Sequence, residues 1–258
     1  SLVAIPFFDN GKVTSIMIAY ILMKDNWHSS VSRYMLDESD MRIYELLFRE
    51  VQYALNRLYA YEKLYEMNAA LYKSAVTDQL TGILNRKGFY QNIGEIIRKI
   101  KKGHMKHDFG IMFIDLDNFK GYNDTFGHDV GDLLLKFMAN IFSRVCRDKG
   151  FVTRFGGDEF IIFLYTGEKK TLEATAKAIY KEIKKQDGFR ELIAKEIGQP
   201  VELDDKKLLS CSIGIISSNQ VKKAEDIDEM IKVADDLLYA VKAESKGTYK
   251  FFEEQEQK

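Results

Sequence analysis

Cysteine is scarce in this chain of 258 residues: Cys146 and Cys211 are the only two, with neither metal-ligand spacing nor a disulfide framework. That excludes a disulfide-stapled secreted scaffold and a zinc knuckle, and it points to a reducing compartment. Both thiols read as small buried side chains. An excess charge of one sign is missing too, since 38 Lys and Arg face 39 Asp and Glu. A nucleic-acid partner usually demands a basic surplus, so none is expected. Long hydrophobic runs are absent as well. The strongest, Ser15–Met23, is about ten residues and too short to cross a bilayer. No basic segment and cleavage site accompany it, so it is not a signal peptide. The expectation is a soluble, cytoplasmic chain without membrane contact. Its 46% hydrophobic content suffices for a packed core, in one large domain or two modest ones.

Glycine and proline are both missing from Ser39 to Ala75, which predicts one long helix. Leu47, Val51, Ala54, Leu58, Tyr61, Tyr65, Asn68, Tyr72 and Ala75 recur at alternating spacings of four and three. That is a heptad seam, in which Asn68 could fix register. The favoured reading is a parallel, dimerising, signal-relaying helix; the alternative is a helix packed on its own sheet. Ahead of it, apolar runs Leu2–Phe8 and Val13–Met23 flank Asn10-Gly11, the strongest short cue for a β-hairpin. An isolated hairpin is marginal in water, so it reads as the tail of a sheet, with a weak resemblance to the closing strands of a GAF-type sensor. The division expected is 1–38 sensor tail, 39–75 helix and 76–258 catalytic domain.

Beyond Val76 helices and strands alternate. Helices are expected over Lys87–Lys102, Gly127–Arg147, Thr171–Lys185 and Ile227–Ala243, and strands over Phe109–Asp115, Leu208–Ile216 and Tyr249–Phe252. Gln186–Lys207, with its glycines, Pro200 and charges, reads as a connection without assigned structure. Between two β-branched-rich runs stands Arg154-Phe155-Gly156-Gly157-Asp158-Glu159-Phe160. A glycine turn there signals a hairpin, on the expectation that glycine supplies a positive φ. Two carboxylates at its tip repel unless a cation neutralises them, and oxygen ligands suit Mg²⁺. The apolar strand Phe109–Ile114 ends abruptly in Asp115-Leu116-Asp117-Asn118-Phe119-Lys120. Carboxylates at a buried strand's exit mark a rim where ligands gather.

These blocks resemble the GGDEF domain of the diguanylate cyclase family from about Thr77 to Phe252. Four agree in order and spacing: Asp78 to Arg86; Asp115 to Lys120, continuing through Asn123-Asp124, Gly127-His128 and Gly131-Asp132; Gly156 to Phe160; and Ala234-Asp235 with Leu238-Tyr239 and Lys242. The resemblance implies an α/β (α+β) palm-like nucleotidyl-cyclase fold, with a βαββαβ core and an antiparallel hairpin, preceded by the long helix. It implies condensation of two GTP into cyclic di-GMP across a homodimer, releasing two pyrophosphates. Two Mg²⁺ (or Mn²⁺) per site are implied, held by Asp115, Asp158, Glu159 and the Leu116 carbonyl. Glu159, Asp158 and Asp115 are the implied catalytic acids. Asn123 and Asp132 match the guanine readers, an aspartate accepting from the ring N–H and exocyclic amine. Lys120, Lys242 and Lys246 match phosphate contacts, and the Asn118 and Phe119 amides a phosphate cradle. His128 is read as structural, Asp117 and Asp124 as turn-forming, and Arg86 as support for the fold near the linker.

Two departures stand out. The family's inhibitory Arg-x-x-Asp motif has Arg147 in place but Gly150 where the aspartate belongs, which puts product inhibition in doubt. Ser245-Lys246-Gly247 replaces Gly-Arg-Asn and loses arginine's bidentate fork. Beside an active cyclase stand two other readings: a degenerate GGDEF module that binds GTP or relays signals, and a cyclase with relaxed base selectivity, against which Asp132 argues.

Overall fold

A computed structural model describes residues 2–9, 12–20, 38–104, 108–185, 187–198, 209–221 and 226–252. The chain divides into two units, Ser1–Leu71 and Tyr72–Lys258. In the first, β1 (Leu2–Asp9) and β2 (Lys12–Tyr20) pair antiparallel as the Asn-Gly cue predicts, with an irregularity between Phe7 and Phe8. The end of the second apolar run, Ile21 to Met23, lies outside the described residues. Helix α1 spans Glu38–Val76, 39 residues or about 58 Å at 1.5 Å per residue. The seam residues Leu47, Val51, Leu58, Tyr61, Tyr65 and Tyr72 are exposed, and so are Leu55, Leu64 and Leu71 off the seam. No helix among the described residues is long and apolar enough to cross a membrane.

Residues after Val76 build one six-stranded sheet. Its elements are β3 (Leu84–Asn85), α2 (Arg86–Lys101), β4 (Gly110–Leu116), α3 (Phe119–Phe126), α4 (His128–Cys146), β5 (Gly150–Arg154), β6 (Glu159–Leu164), α5 (Lys169–Ile183), α6 (Asp187–Ile197), β7 (Cys211–Ser217), α7 (Ile227–Glu244) and β8 (Tyr249–Phe251). Strand order is β3-β5-β6-β4-β7-β8. The central β4 runs antiparallel to both β6 and β7, and β4 to β7 trace the expected βαββαβ core. Period-two alternation splits the apolar residues between two faces. Met112, Ile114, Phe160, Ile162, Ile213 and Ile215 join the core that includes α4 to α6. Ile111, Phe113, Ile161, Phe163 and Ile216 join the core that includes α2 and α7. Both faces are covered, which is why these strands read as continuous apolar runs.

Two helices escape the sequence reading. Eight-residue α3 hides inside the acidic block after β4. Helix α6 corrects the expectation for Gln186–Lys207: its glycine and charges read as loop, yet Phe189 and Ile193, four apart, are fully buried, and that spacing is one helical face. The expected strand from Leu208 begins at Cys211, with Leu208 outside the described residues. Both cysteines are free and buried, as expected.

Candidate active site

Strand β4 delivers Asp115 to the sheet's end, and register places it opposite Glu159 of β6 on one side and Ser212 of β7 on the other. Asp115 shares its face with Ile111 and Phe113, the side of the sheet covered by α7. That helix lies close because Gly214 of β7 has no side chain: a Cβ there would stand 1.9 Å from the Ala234 carbonyl oxygen. Two turns onward, Lys242 Nζ reaches Asp115 Oδ1 at 2.6 Å. The next acid, Asp117, faces a different task. It is buried and accepts from the hydroxyls of Ser210 (2.7 Å) and Ser212 (2.8 Å), so it fixes the loop, as its turn-forming reading requires.

The β5–β6 connection is closed by Phe155 N–H donating to the Glu159 carbonyl at 2.8 Å. Neither Gly156 nor Gly157 adopts a positive φ, which corrects that expectation. Gly156 instead leaves room for the Glu159 side chain: a Cβ would lie 2.3 Å from Glu159 Oε2, and that carboxylate would have to swing away. The carboxylate therefore folds back across the turn. Leu116 N–H donates to the Asp158 carbonyl at 3.2 Å, tying the hairpin to the end of β4. Arg154 clamps it from outside, donating to the Gly157 carbonyl through Nε (3.0 Å) and Nη2 (2.8 Å), and to both Asp78 oxygens through Nη1 (3.2 Å). Asp78 in turn accepts from Thr81. Asn85 caps α2 through Gly88 N–H and donates to the carbonyls of Ala75 and Thr77. Hydrogen bonds thus connect the last turn of α1 to the acidic hairpin, and only the presence of Asp78 and Arg154 in the motif blocks hinted at this. Arg86 lies 4.6 Å from the centre of the Phe155 ring, a supporting role as expected.

Asn118 enters α3 from a left-handed backbone (φ 58°), which asparagine tolerates. The following amides open the helix, where intrahelical acceptors are lacking. Asn123 of α3 meets α4 at Gly131, where a Cβ would lie 1.8 Å from Asn123 Oδ1. This buried oxygen has no hydrogen-bond partner among the described residues. Asp132, the next residue, is exposed. Lys120 and Lys246 are exposed as well, and so is His128, the first residue of α4.

Burial pushes the Asp115 carboxyl above its ordinary value, reinforced by Asp158 and Asp117 and opposed by Lys242. Glu159 is raised by burial, then by Asp115, Asp158 and Asp235, with Lys242 again opposing. The acids are therefore under mutual repulsion and call for a cation. No three His, Cys, Asp or Glu side chains among the described residues gather into a metal-holding cluster. An oxygen-only set of one or two carboxylates fits Mg²⁺ that arrives with nucleotide phosphates, its usual mode.

Residues 75–248 match the family described as diguanylate cyclase, GGDEF domain. The signaling protein YkoW of Bacillus subtilis is 35% identical across 74% of this chain and 22% of its own length. The diguanylate cyclase DgcP of Escherichia coli is 31% identical across 72% of this chain and 50% of its own. This chain therefore spans half or less of those two relatives, and relatives of similar identity include a protein named as a cyclic di-GMP phosphodiesterase. The coiled coil and GGDEF domain of DgcB from Caulobacter crescentus, solved with c-di-GMP, covers 79% of this chain and 98% of its own, with a TM-score of 0.61 at 23% identity. At that identity the likeness shows the fold. From the family match over most of its length, this chain belongs to the GGDEF family of diguanylate cyclases.

Proposed function

We propose that the chain is an active cyclase condensing two GTP into cyclic di-GMP. The observation that carries this is the β4–β6 register, which sets Asp115 against Glu159 with Lys242 on Asp115, at the same sheet end that opens into α3 and α4. Phosphoryl transfer is catalysed mainly by positioning and charge neutralisation. Asn123 and Asp132 hold guanine, and Lys120, Lys242, Lys246 and the Asn118 and Phe119 amides hold phosphates. Mg²⁺, held by no more than two of Asp115, Asp158 and Glu159 at a time together with the Leu116 carbonyl, would acidify the attacking 3′-hydroxyl and steady the leaving pyrophosphate. Glu159, opposite Asp115 in the strand register, takes that hydroxyl's proton. One GTP per subunit cannot close a cyclic dinucleotide, so two subunits face each other across a two-fold axis. Residues 1–38 then form the tail of a sensor and 39–75 the relay, in a cytoplasmic protein.

A second reading, a GTP-binding relay without turnover, is favoured by the short Lys242–Asp115 ion pair, which occupies a metal ligand with a protein cation. Incubation with GTP and Mg²⁺, with mass-spectrometric identification of the product, separates the two. Cyclic di-GMP is expected. Asp158→Ala should abolish its formation while changing stability by less than about 1 kcal/mol, as for a half-exposed turn residue. Turnover near wild type in that variant would remove the metal assignment.

A further inference from the structure

The aromatic ring of Phe189 packs against both helices that carry the proposed guanine readers. Its centroid is 6.1 Å from Tyr122 of α3, edge-on, and 5.2 Å from Phe137 of α4. Tyr122 immediately precedes Asn123, and Phe137 follows Asp132 by five residues on the same helix. Phe189 itself is fully buried. The helices are also in tight contact at Gly131, whose backbone lies against Asn123 Oδ1. The helix pair thus has one fixed point at the Asn123–Gly131 contact and a second at the Phe189 ring.

We infer that Phe189 is a positioning residue for base recognition: it sets the separation of α3 and α4 and so the spacing between Asn123 and Asp132. The inference rests on the reading of those two residues as guanine-binding. Two polar groups on different helices must meet edges of one rigid base, where misplacement by about 1 Å costs up to about a hundredfold. A smaller residue at 189 lets the helices close on the vacated volume and spoils the match without touching the ligand. Nothing about α6 was legible from the motif blocks, because it lies outside all of them.

The test measures binding of guanosine 5′-(α,β-methylene)triphosphate, which cannot react at the α-phosphate, and of its inosine counterpart, which lacks the exocyclic amine. Calorimetry on the full chain needs no turnover. Phe189→Leu should weaken the guanosine analogue about tenfold and cut guanosine-over-inosine preference by a similar factor. Phe189→Met, of leucine's volume but longer and more adaptable, should reach both rings and restore most of both, and it keeps the test open if the leucine variant fails to fold. Leu172→Ala is the control for general loosening: it removes a buried side chain packed on Gly110, at the far end of β4 from Asp115, and should leave the preference unchanged. Equal loss of preference in Leu172→Ala, or unchanged preference in Phe189→Leu, overturns the inference. Asp132→Ala separates the two levels. If it weakens guanosine binding while Phe189→Leu does not, only the positioning role falls; if it changes nothing, the guanine reading falls and takes the positioning role with it.

Discussion

Arg154 makes four hydrogen bonds, two to the Gly157 carbonyl and two to Asp78, and so holds the acidic turn by its backbone. Burial works to raise the Asp78 carboxyl, but hydrogen bonds from Thr81 and Arg154 outweigh it, and the group ends below its ordinary value. A depressed carboxylate contributes stability that is complete above its unfolded pKa, about 3.9, and lost as pH falls through the folded one. Asp78→Asn should therefore lower stability by about 1–3 kcal/mol at pH 7, with the gap to wild type closing below about pH 4. Denaturant melts across that range measure it; a gap independent of pH would mean the carboxylate is not the partner that matters. Gly150 makes a different case. It stands where the family's inhibitory aspartate would be, and a Cβ there would lie 1.8 Å from the Phe163 carbonyl oxygen. The missing aspartate thus cannot simply be put back. Gly150→Asp should cost about 2 kcal/mol or more and leave the domain without tight product binding by calorimetry. A stable variant that binds cyclic di-GMP tightly would contradict this.

Elements were legible where periodicity and company agreed. The long helix, the β4 strand and the acidic hairpin stand within one or two residues of their expected positions, because each is a long run bounded by abrupt polar residues. Helix α6 was not, since Gly188 and its charges mimic a connection and only the pair Phe189 and Ile193 shows its buried face. In the site, the acids were legible by type and order. The role of Gly156 was not, because the rotamer that brings the Glu159 carboxylate back over it within the same turn is not encoded by residue type. The Asp78–Arg154 clamp likewise joins residues 76 positions apart. At this scale α1 makes its own prediction. Its exposed seam, if it pairs two chains, raises the local concentration of the second site to about millimolar. Removing the residues before Ser74 keeps the Ala75 and Thr77 carbonyls that Asn85 holds. The shortened chain should fold and bind GTP, yet lose specific activity steeply on dilution, while the full chain loses much less. Equal dilution curves would show that α1 does not dimerise the enzyme.

At the scale of the whole molecule, the two acids that face each other come from strands that meet only when the sheet is complete. Asp115 belongs to β4 and Glu159 to β6, which are separated in sequence by α3, α4 and β5. Their pairing is one register among those two apolar strands could adopt. Slipping it by one residue turns every side chain of a strand to the opposite face, and it would drive a carboxylate into the apolar layer under α4 and α5. The acidic pair is thus tied to one register of the sheet. On the proposed chemistry, product formed per molecule would then report the fraction of chains whose β4 and β6 are in register.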